Sequence, residues 1–175
     1  MSEIHAGESI VVNPSSIEFI PADLAQNMAS CIAFRRDSFQ INYGSDKSFK
    51  TEMGEGGADY ASRLIDFQQQ FPYGVIHVTR GDEIIGQIDF RIEKLFMDKA
   101  FISMFYLIQS ERGRGIGTLM HKYLINTLRE QGCNGARILI QSSNERGLAF
   151  YKTHGWRYVK PDLSNSNIDT YQLNF

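Results

Sequence analysis

The segment Gln109-Ser110-Glu111-Arg112-Gly113-Arg114-Gly115-Ile116-Gly117-Thr118 stands between a hydrophobic stretch and an amphipathic one. Closely spaced small residues there let backbone N–H groups turn inward at the positive end of a helix dipole, which makes an anion site, and two arginines stand beside it. Such a turn suits a pyrophosphate. It is not a Walker P-loop, because no Lys-Ser or Lys-Thr follows the last glycine to reach terminal phosphates and place magnesium. Nor is it a dinucleotide fingerprint, since the third glycine of G-x-G-x-x-G would fall at Met120. Taken alone, R-G-R-G also reads as a solvated turn or as an RGG-like RNA contact.

The segment does not stand alone. Arg112-x-x-Gly115-x-Gly117 is followed by Asn144-x-x-Gly147-x-x-Phe150-Tyr151-x-x-x-Gly155-Trp156. In this order and spacing the two resemble the signature motifs of the GNAT family of N-acetyltransferases, and the resemblance covers about Ile84 to Trp156. Gly147 stands where the second motif usually has alanine, Trp156 where it usually has phenylalanine, and Gln109 where proline is common.

The resemblance implies a mixed α/β fold, a largely antiparallel sheet flanked by helices, with acetyl-CoA in a V-shaped opening between the strands Ala100 to Ile108 and Arg137 to Gln141. It implies that the N–H groups of Gly113, Gly115 and Gly117, with Arg114, hold the pyrophosphate. Arg112 begins that cofactor motif, Ile116 lies within it, and Thr118 adds a hydroxyl. Asn144 would reach the pantetheine arm while capping its helix. Tyr106, Leu107 and Ile108 would expose main-chain groups that pair with pantetheine like an added strand, the Leu107 N–H serving the thioester oxyanion. Tyr151 would face the cofactor sulfur, with Phe150 towards the core, and protonate the departing thiolate. A phenol of pKa about 10 is a competent donor to a thiolate whose thiol is near 8.5. Acetyl-CoA is the implied co-substrate and an amine the acceptor; no metal is required.

A primary amine of pKa about 10 arrives as an ammonium and must lose a proton before it attacks. Asp89 and Glu93 share a strand face with Gln87 and Arg91, and Asp89, flanked by Ile88 and Phe90, is the better-placed carboxylate. A salt bridge or solvated face is the competing reading. His77, Glu83 and His121 are weaker candidates, His121 being expected to face solvent.

The elements that must position these groups follow from pattern. Ser16 to Ile20 alternates as a strand closed by Pro21, and a helix opens at Pro21-Ala22-Asp23 and runs towards Arg36, with Leu24, Met28 and Ile32 at fours. Asn42 to Ala58, with its glycines, reads as a mobile loop. A second helix runs about Ala58 to Phe71 and ends before Pro72. Gly74 to Arg80, the turn Gly81-Asp82, Glu83 to Ile92, a turn around Met97-Asp98-Lys99 and Ala100 to Ile108 make a three-strand meander. After Gly115, the residues Ile116, Leu119, Met120, Tyr123, Leu124 and Leu128 share a helical stripe that stops at Gly132. The strand Arg137 to Gln141, a helix from Asn144 to about Thr153, and the strands Trp156 to Lys160 and Ile168 to Phe175 complete the chain. The first two helices, the Asn42 to Ala58 loop and the last two strands are left to recognise the acceptor.

At 175 residues the chain reads as one domain, 1–175. Its formal charge of −2 argues against a bulk nucleic-acid partner. That total hides a polarity: −6 from Met1 to Gln109 and +4 from Ser110 onward, which assigns the basic part to the cofactor and the acidic part to a cationic acceptor. No apolar stretch is long enough to cross a membrane. No secretory signal is evident, and two cysteines make no disulfide framework, so a cytoplasmic setting is expected. A homodimer through the C-terminal strands is a further expectation from the resemblance. A non-catalytic coenzyme A-binding module on the same fold is the competing reading.

Overall fold

The computed structural model describes residues 16–93 and 99–175. The expected turn at Met97-Asp98 lies outside them. Strand β1 (Ile17–Pro21) leads into helix α1 (Leu24–Tyr43), whose N-terminus is capped by Asp23 accepting from the Gln26 N–H at 3.2 Å. The helix runs past Arg36 because no glycine or proline interrupts it before Gly44, which ends it in the left-handed region at φ 67°. The stretch expected as a mobile loop instead contains α2 (Phe49–Met53) and a 3-10 turn (Glu55–Gly57) leading into α3 (Ala58–Gln70). Phe49 and Met53 are buried, Phe49 meets Phe39 edge-on, and the Arg36 guanidinium lies over the Phe49 ring. Of its glycines, Gly57 stands against the core, where a methyl would come within 2.9 Å of Ile32.

Strands β2 (Val75–Arg80), β3 (Glu83–Glu93) and β4 (Lys99–Leu107) form the expected antiparallel meander. Helix α4 (Ile116–Glu130), β5 (Gly135–Gln141), α5 (Glu145–Thr153), β6 (Arg157–Pro161) and β7 (Ile168–Asn174) follow. The sheet order is β1-β2-β3-β4-β5-β7-β6, with β4 and β5 its one parallel pair among the described residues. β2 and β3 are buried on both faces, as a sheet covered by two helical layers requires, while β4 and β5 alternate buried and half-buried residues. Cys31, Phe39, Tyr60, Leu64, Phe67 and Val75 pack on the side of α1 to α3. Ile76, Val78, Ile88, Met120, Leu124, Leu128 and Tyr151 pack on the side of α4 and α5. Both cysteines are buried, and neither forms a disulfide among the described residues.

Two features of β4 shape the site. Asp89 pairs with Met104 and Phe90 with Ile102, so Ser103 is an extra residue, a β-bulge. Pairing with β5 extends only from Lys99 to Ile102, so beyond the bulge β4 is hydrogen-bonded to β3 alone. The two strands part there, and the V-shaped opening lies between them.

Candidate active site

The chain leaves β4 through a 3-10 turn (Gln109–Glu111) and reaches α4 by way of Gly113 and Gly115, at φ 79° and 82°. Side chains other than glycine are strained at such angles. No side chain caps α4. The Thr118 and Leu119 N–H groups bond to the Gly115 carbonyl at 3.1 and 3.2 Å. The N–H groups of Gly113, Arg114, Gly115, Ile116 and Gly117 have no main-chain partner among the described residues. Five donors at the positive end of a helix are the means to hold a pyrophosphate. The Ile116 side chain is core, so only its N–H is available, and Thr118 is exposed. Gly117 also admits α5: a methyl there would stand 3.3 Å from the Phe150 ring.

The two arginines divide. Arg114 is 64% exposed, with Glu111 3.9 Å away. Arg112 turns away from the loop: its Nε donates to the Leu107 carbonyl at 2.7 Å, its guanidinium lies over the Tyr106 ring, and Asp37 stands 3.8 Å from it. The expected phosphate cation at 112 is thus a brace on the end of β4, because Leu107's carbonyl has lost the neighbouring strand that would have satisfied it.

The register shows which main-chain groups face the opening. The Ile108 N–H donates to the Ile85 carbonyl at 2.9 Å, which makes Leu107 and Gly86 a non-hydrogen-bonded pair. The N–H and C=O of Leu107 therefore point away from β3, into the gap. By the same alternation Phe105 faces the gap and Tyr106 faces β3. Ile108, expected to expose its main chain, has its N–H on Ile85 and its carbonyl on the Glu111 N–H at 3.1 Å. Phe105 takes the place of Tyr106 and Ile108 in this respect. Its signal was the strand alternation itself, once the partner strand is known to depart.

The bulge also reverses the side-chain faces. Phe105 meets Phe150 and Tyr151 on the α5 side, while Tyr106 stacks on Phe34 and donates its hydroxyl to Asp37 Oδ2 at 2.7 Å on the α1 side. Burial, then Asp37, push the Tyr106 phenol up. Tyr151, rather than Phe150, is the more deeply buried of the pair, boxed by Phe105, Phe150 and Trp156. Burial raises its pKa well above the ordinary value, so the phenol stays protonated. Asn144 caps α5, accepting from the Gly147 N–H at 2.9 Å, and its amide donates to Asn42 of α1 at 2.8 Å. Glycine at 147 leaves room for that pose, since a methyl would come within 2.8 Å of the Asn144 amide nitrogen.

Asp89 lies on the α1 face and is 0% exposed. The Tyr60 hydroxyl donates to Oδ2 and Gln87 to Oδ1 at 2.7 Å, while Arg35 donates to the Ser103 carbonyl at 2.8 Å and rests over the Tyr60 ring. Burial pushes the Asp89 carboxyl up to about 6, opposed by its two hydrogen bonds. As the expected base it has no oxygen open to an acceptor. Arg91 and Glu93 form a separate cluster, with Arg137 donating to Glu93 at 2.7 and 2.8 Å and both arginines over Phe101. His77 is buried with its Nε2 3.3 Å from the Cys31 sulfur; burial lowers the imidazole and raises the thiol to about 12. Glu83 is exposed at the β2–β3 turn.

The acetyltransferase (GNAT) family model matches residues 42–156. The chain belongs to that family. No curated protein matches it. Among solved structures it is similar to the PaiA N-acetyltransferase of Thermoplasma acidophilum in complex with coenzyme A, at 17% identity and a TM-score of 0.75, covering 91% of this chain and 99% of that one. Ard1 of Thermoplasma volcanium is similar at 18% identity and a TM-score of 0.64, covering 90% and 97%. The ribosomal-protein-S18-alanine N-acetyltransferase of Escherichia coli is similar at 14% identity and a TM-score of 0.59, covering 91% and 94%. At these identities the likeness is one of fold.

One departure of this GNAT chain explains a buried histidine. Trp156, in place of the usual phenylalanine, brings an indole N–H into the core, and it donates to His121 Nε2 at 2.9 Å. His121 was expected in solvent; α5 covers that face of α4 instead, and burial, with His154 beside it, lowers the imidazole to about 4. Leu119, placed on the apolar stripe, is 49% exposed, and the buried stripe runs through His121 and Ile125. Among the described residues no helix is long and apolar enough to cross a membrane.

Proposed function

We propose that the protein transfers acetyl from acetyl-CoA to a primary amine by direct attack within a ternary complex. The observation that carries this reading is the unpaired end of β4: it turns the Leu107 N–H into a gap that lies beside the donor-rich turn at the start of α4. Bound acetyl-CoA supplies a thioester. The turn, with Arg114, holds its pyrophosphate, and the Phe105 and Leu107 main chain pairs with the pantetheine arm. Asn144 orients that arm from the far side.

The ammonium first gives one proton to solvent water, and the free amine nitrogen attacks the thioester carbon, the charge that develops on oxygen being met by the Leu107 N–H. Arg112 and the bond from Ile108 to Ile85 hold that peptide in place beforehand, so little reorganisation accompanies the reaction. As the C–S bond breaks, Tyr151 gives its phenolic proton to the sulfur. Its raised pKa is matched to the task because the same apolar surroundings also make the thiolate more basic. The second proton, released from nitrogen as the amide forms, passes through water to restore the Tyr151 phenol. The acceptor enters from the α1 face, the acidic part of the chain, so it is a cationic amine.

The test is a panel of amines with acetyl-CoA, following thiol release, on the native protein and Tyr151→Phe. The variant is expected to keep coenzyme A binding and lose about a hundredfold or more in kcat. Coenzyme A raising the melting temperature with no amine ever acetylated would replace the enzyme with a binding module.

A further inference from the structure

Helix α1 bridges the two sides of the gap. Asp37 is bonded to Tyr106 on β4, and five residues on, about 8 Å along the helix axis, Asn42 is bonded to Asn144 at the head of α5. Of the groups in this bridge, Asp37 alone carries negative charge into solvent, its side chain being 49% exposed. The Tyr106 hydroxyl takes Oδ2 and fixes the plane of the carboxylate; Oδ1 has no partner among the described residues.

Of the nearby cations only Arg112 pairs with Asp37, and it does so loosely. Arg112 is anchored by its Nε on the Leu107 carbonyl and by the Tyr106 ring, so it stays 3.8 Å from Oδ2 rather than closing a bidentate pair. Arg35 reaches the Ser103 carbonyl and Arg36 lies over Phe49. A single guanidinium separates the Asp37 carboxylate from the carbonyl of Leu107, whose N–H faces the gap.

We propose that the Asp37 carboxylate is the docking group for the acceptor's ammonium, with Tyr106 as its positioning residue. This rests on the acetyl-transfer reading for its place in a reaction, and on geometry alone for the site. An ammonium offers three donors and no acceptor, which complements an oriented carboxylate with one open oxygen. The site selects cationic amines over neutral analogues of the same shape.

The test is calorimetric titration of the protein saturated with coenzyme A, using n-hexylamine and 2-phenylethylamine against the matching alcohols. The native protein is expected to favour each amine by about tenfold or more, the range of a charge-assisted hydrogen bond. Asp37→Asn, which still accepts from Tyr106, is expected to lose that preference with coenzyme A affinity unchanged. Tyr106→Phe keeps the charge and retains most of the preference. An equal response to amine and alcohol in the native protein, no binding of either, or an undiminished preference in Asp37→Asn would each overturn the proposal. Amines that bind through Asp37 but never release thiol from acetyl-CoA would instead refute acetyl transfer and leave the site standing.

Discussion

Replacing Asp89 by asparagine separates a base from a buried structural carboxylate. Burial raises this carboxyl from 3.8 to about 6 in the folded chain, and unfolding returns it to about 3.9. A folded value above the unfolded one means that the contribution to stability is fully present below about pH 4 and is lost as pH rises through about 6. The gap of about two units corresponds to something on the order of 3 kcal/mol. Asparagine does not titrate. The stability of Asp89→Asn minus that of the native protein should therefore move by about that amount, in the variant's favour, between about pH 4 and pH 7.5. Any constant penalty from replacing an oxygen by an amide, for instance against Gln87, shifts the whole curve and not its slope. Distant titrating groups such as Glu93 cancel in the difference. Urea unfolding of both proteins across this range measures it. A flat difference would show that the carboxylate bears no burial penalty, and one that turns against the variant as pH rises would show that the site favours the ionised form. Transfer activity is expected to survive within about tenfold; a loss of about a hundredfold with an intact fold would restore Asp89 as the base.

Gly115→Ala places a methyl at φ 82° with nothing within 4 Å to clash, so about 1 kcal/mol of backbone strain falls on the turn itself. Coenzyme A affinity is expected to drop severalfold in a calorimetric titration while the melting temperature changes little, and unchanged affinity would remove Gly115 from the phosphate site. His121 is held below its ordinary pKa, so its contribution to stability is present above about pH 6.5 and fades as pH falls through about 4. His121→Phe should be less stable at neutral pH, because the Trp156 N–H loses its acceptor, and should show a shallower acid limb between those values; an identical limb would mean that His121 does not titrate there.

The meander was legible because turn residues and alternating apolar runs mark each strand in isolation, and the turn before α4 because glycines at 113 and 115 are needed wherever such a backbone occurs. What was not legible depends on which element covers which. Asp89 looked half-open on its own strand, and only α3, bringing Tyr60 over it, closes that face. His121 and Leu119 are one polar and one apolar position near the edge of the same helical stripe; the placement of α5, not hydrophobicity, decides which is buried. The motif reading makes Arg112 a phosphate ligand because it opens the glycine-rich segment, whereas its long side chain reaches back to a carbonyl five residues earlier. Helix α1 extends to Tyr43 for want of a stop signal, and Asn42 in that last turn is what links it to Asn144.

Ser103 accounts for more of the site than any residue that carries chemistry. With Ser103 taken into regular alternation rather than bulged out, β4 would keep one alternation throughout: Phe105 would lie on the face of Phe101 and Tyr106 on that of Ile102. Tyr106 could not then reach Asp37, nor Phe105 reach Tyr151. The main-chain alternation would shift with it and turn the Leu107 N–H towards β3, closing the ladder where the gap now lies. A bulge leaves a local defect in main-chain pairing, and here the Arg35 guanidinium answers it by donating to the Ser103 carbonyl. Arg35 in turn rests on Tyr60, whose hydroxyl is held by Asp89. The buried carboxylate that looked like a base thus stands behind the bulge, three side-chain contacts away from Ser103. Its cost in burial is a term in the stability of the splayed strand, which is why its substitution is expected to show in unfolding before it shows in transfer.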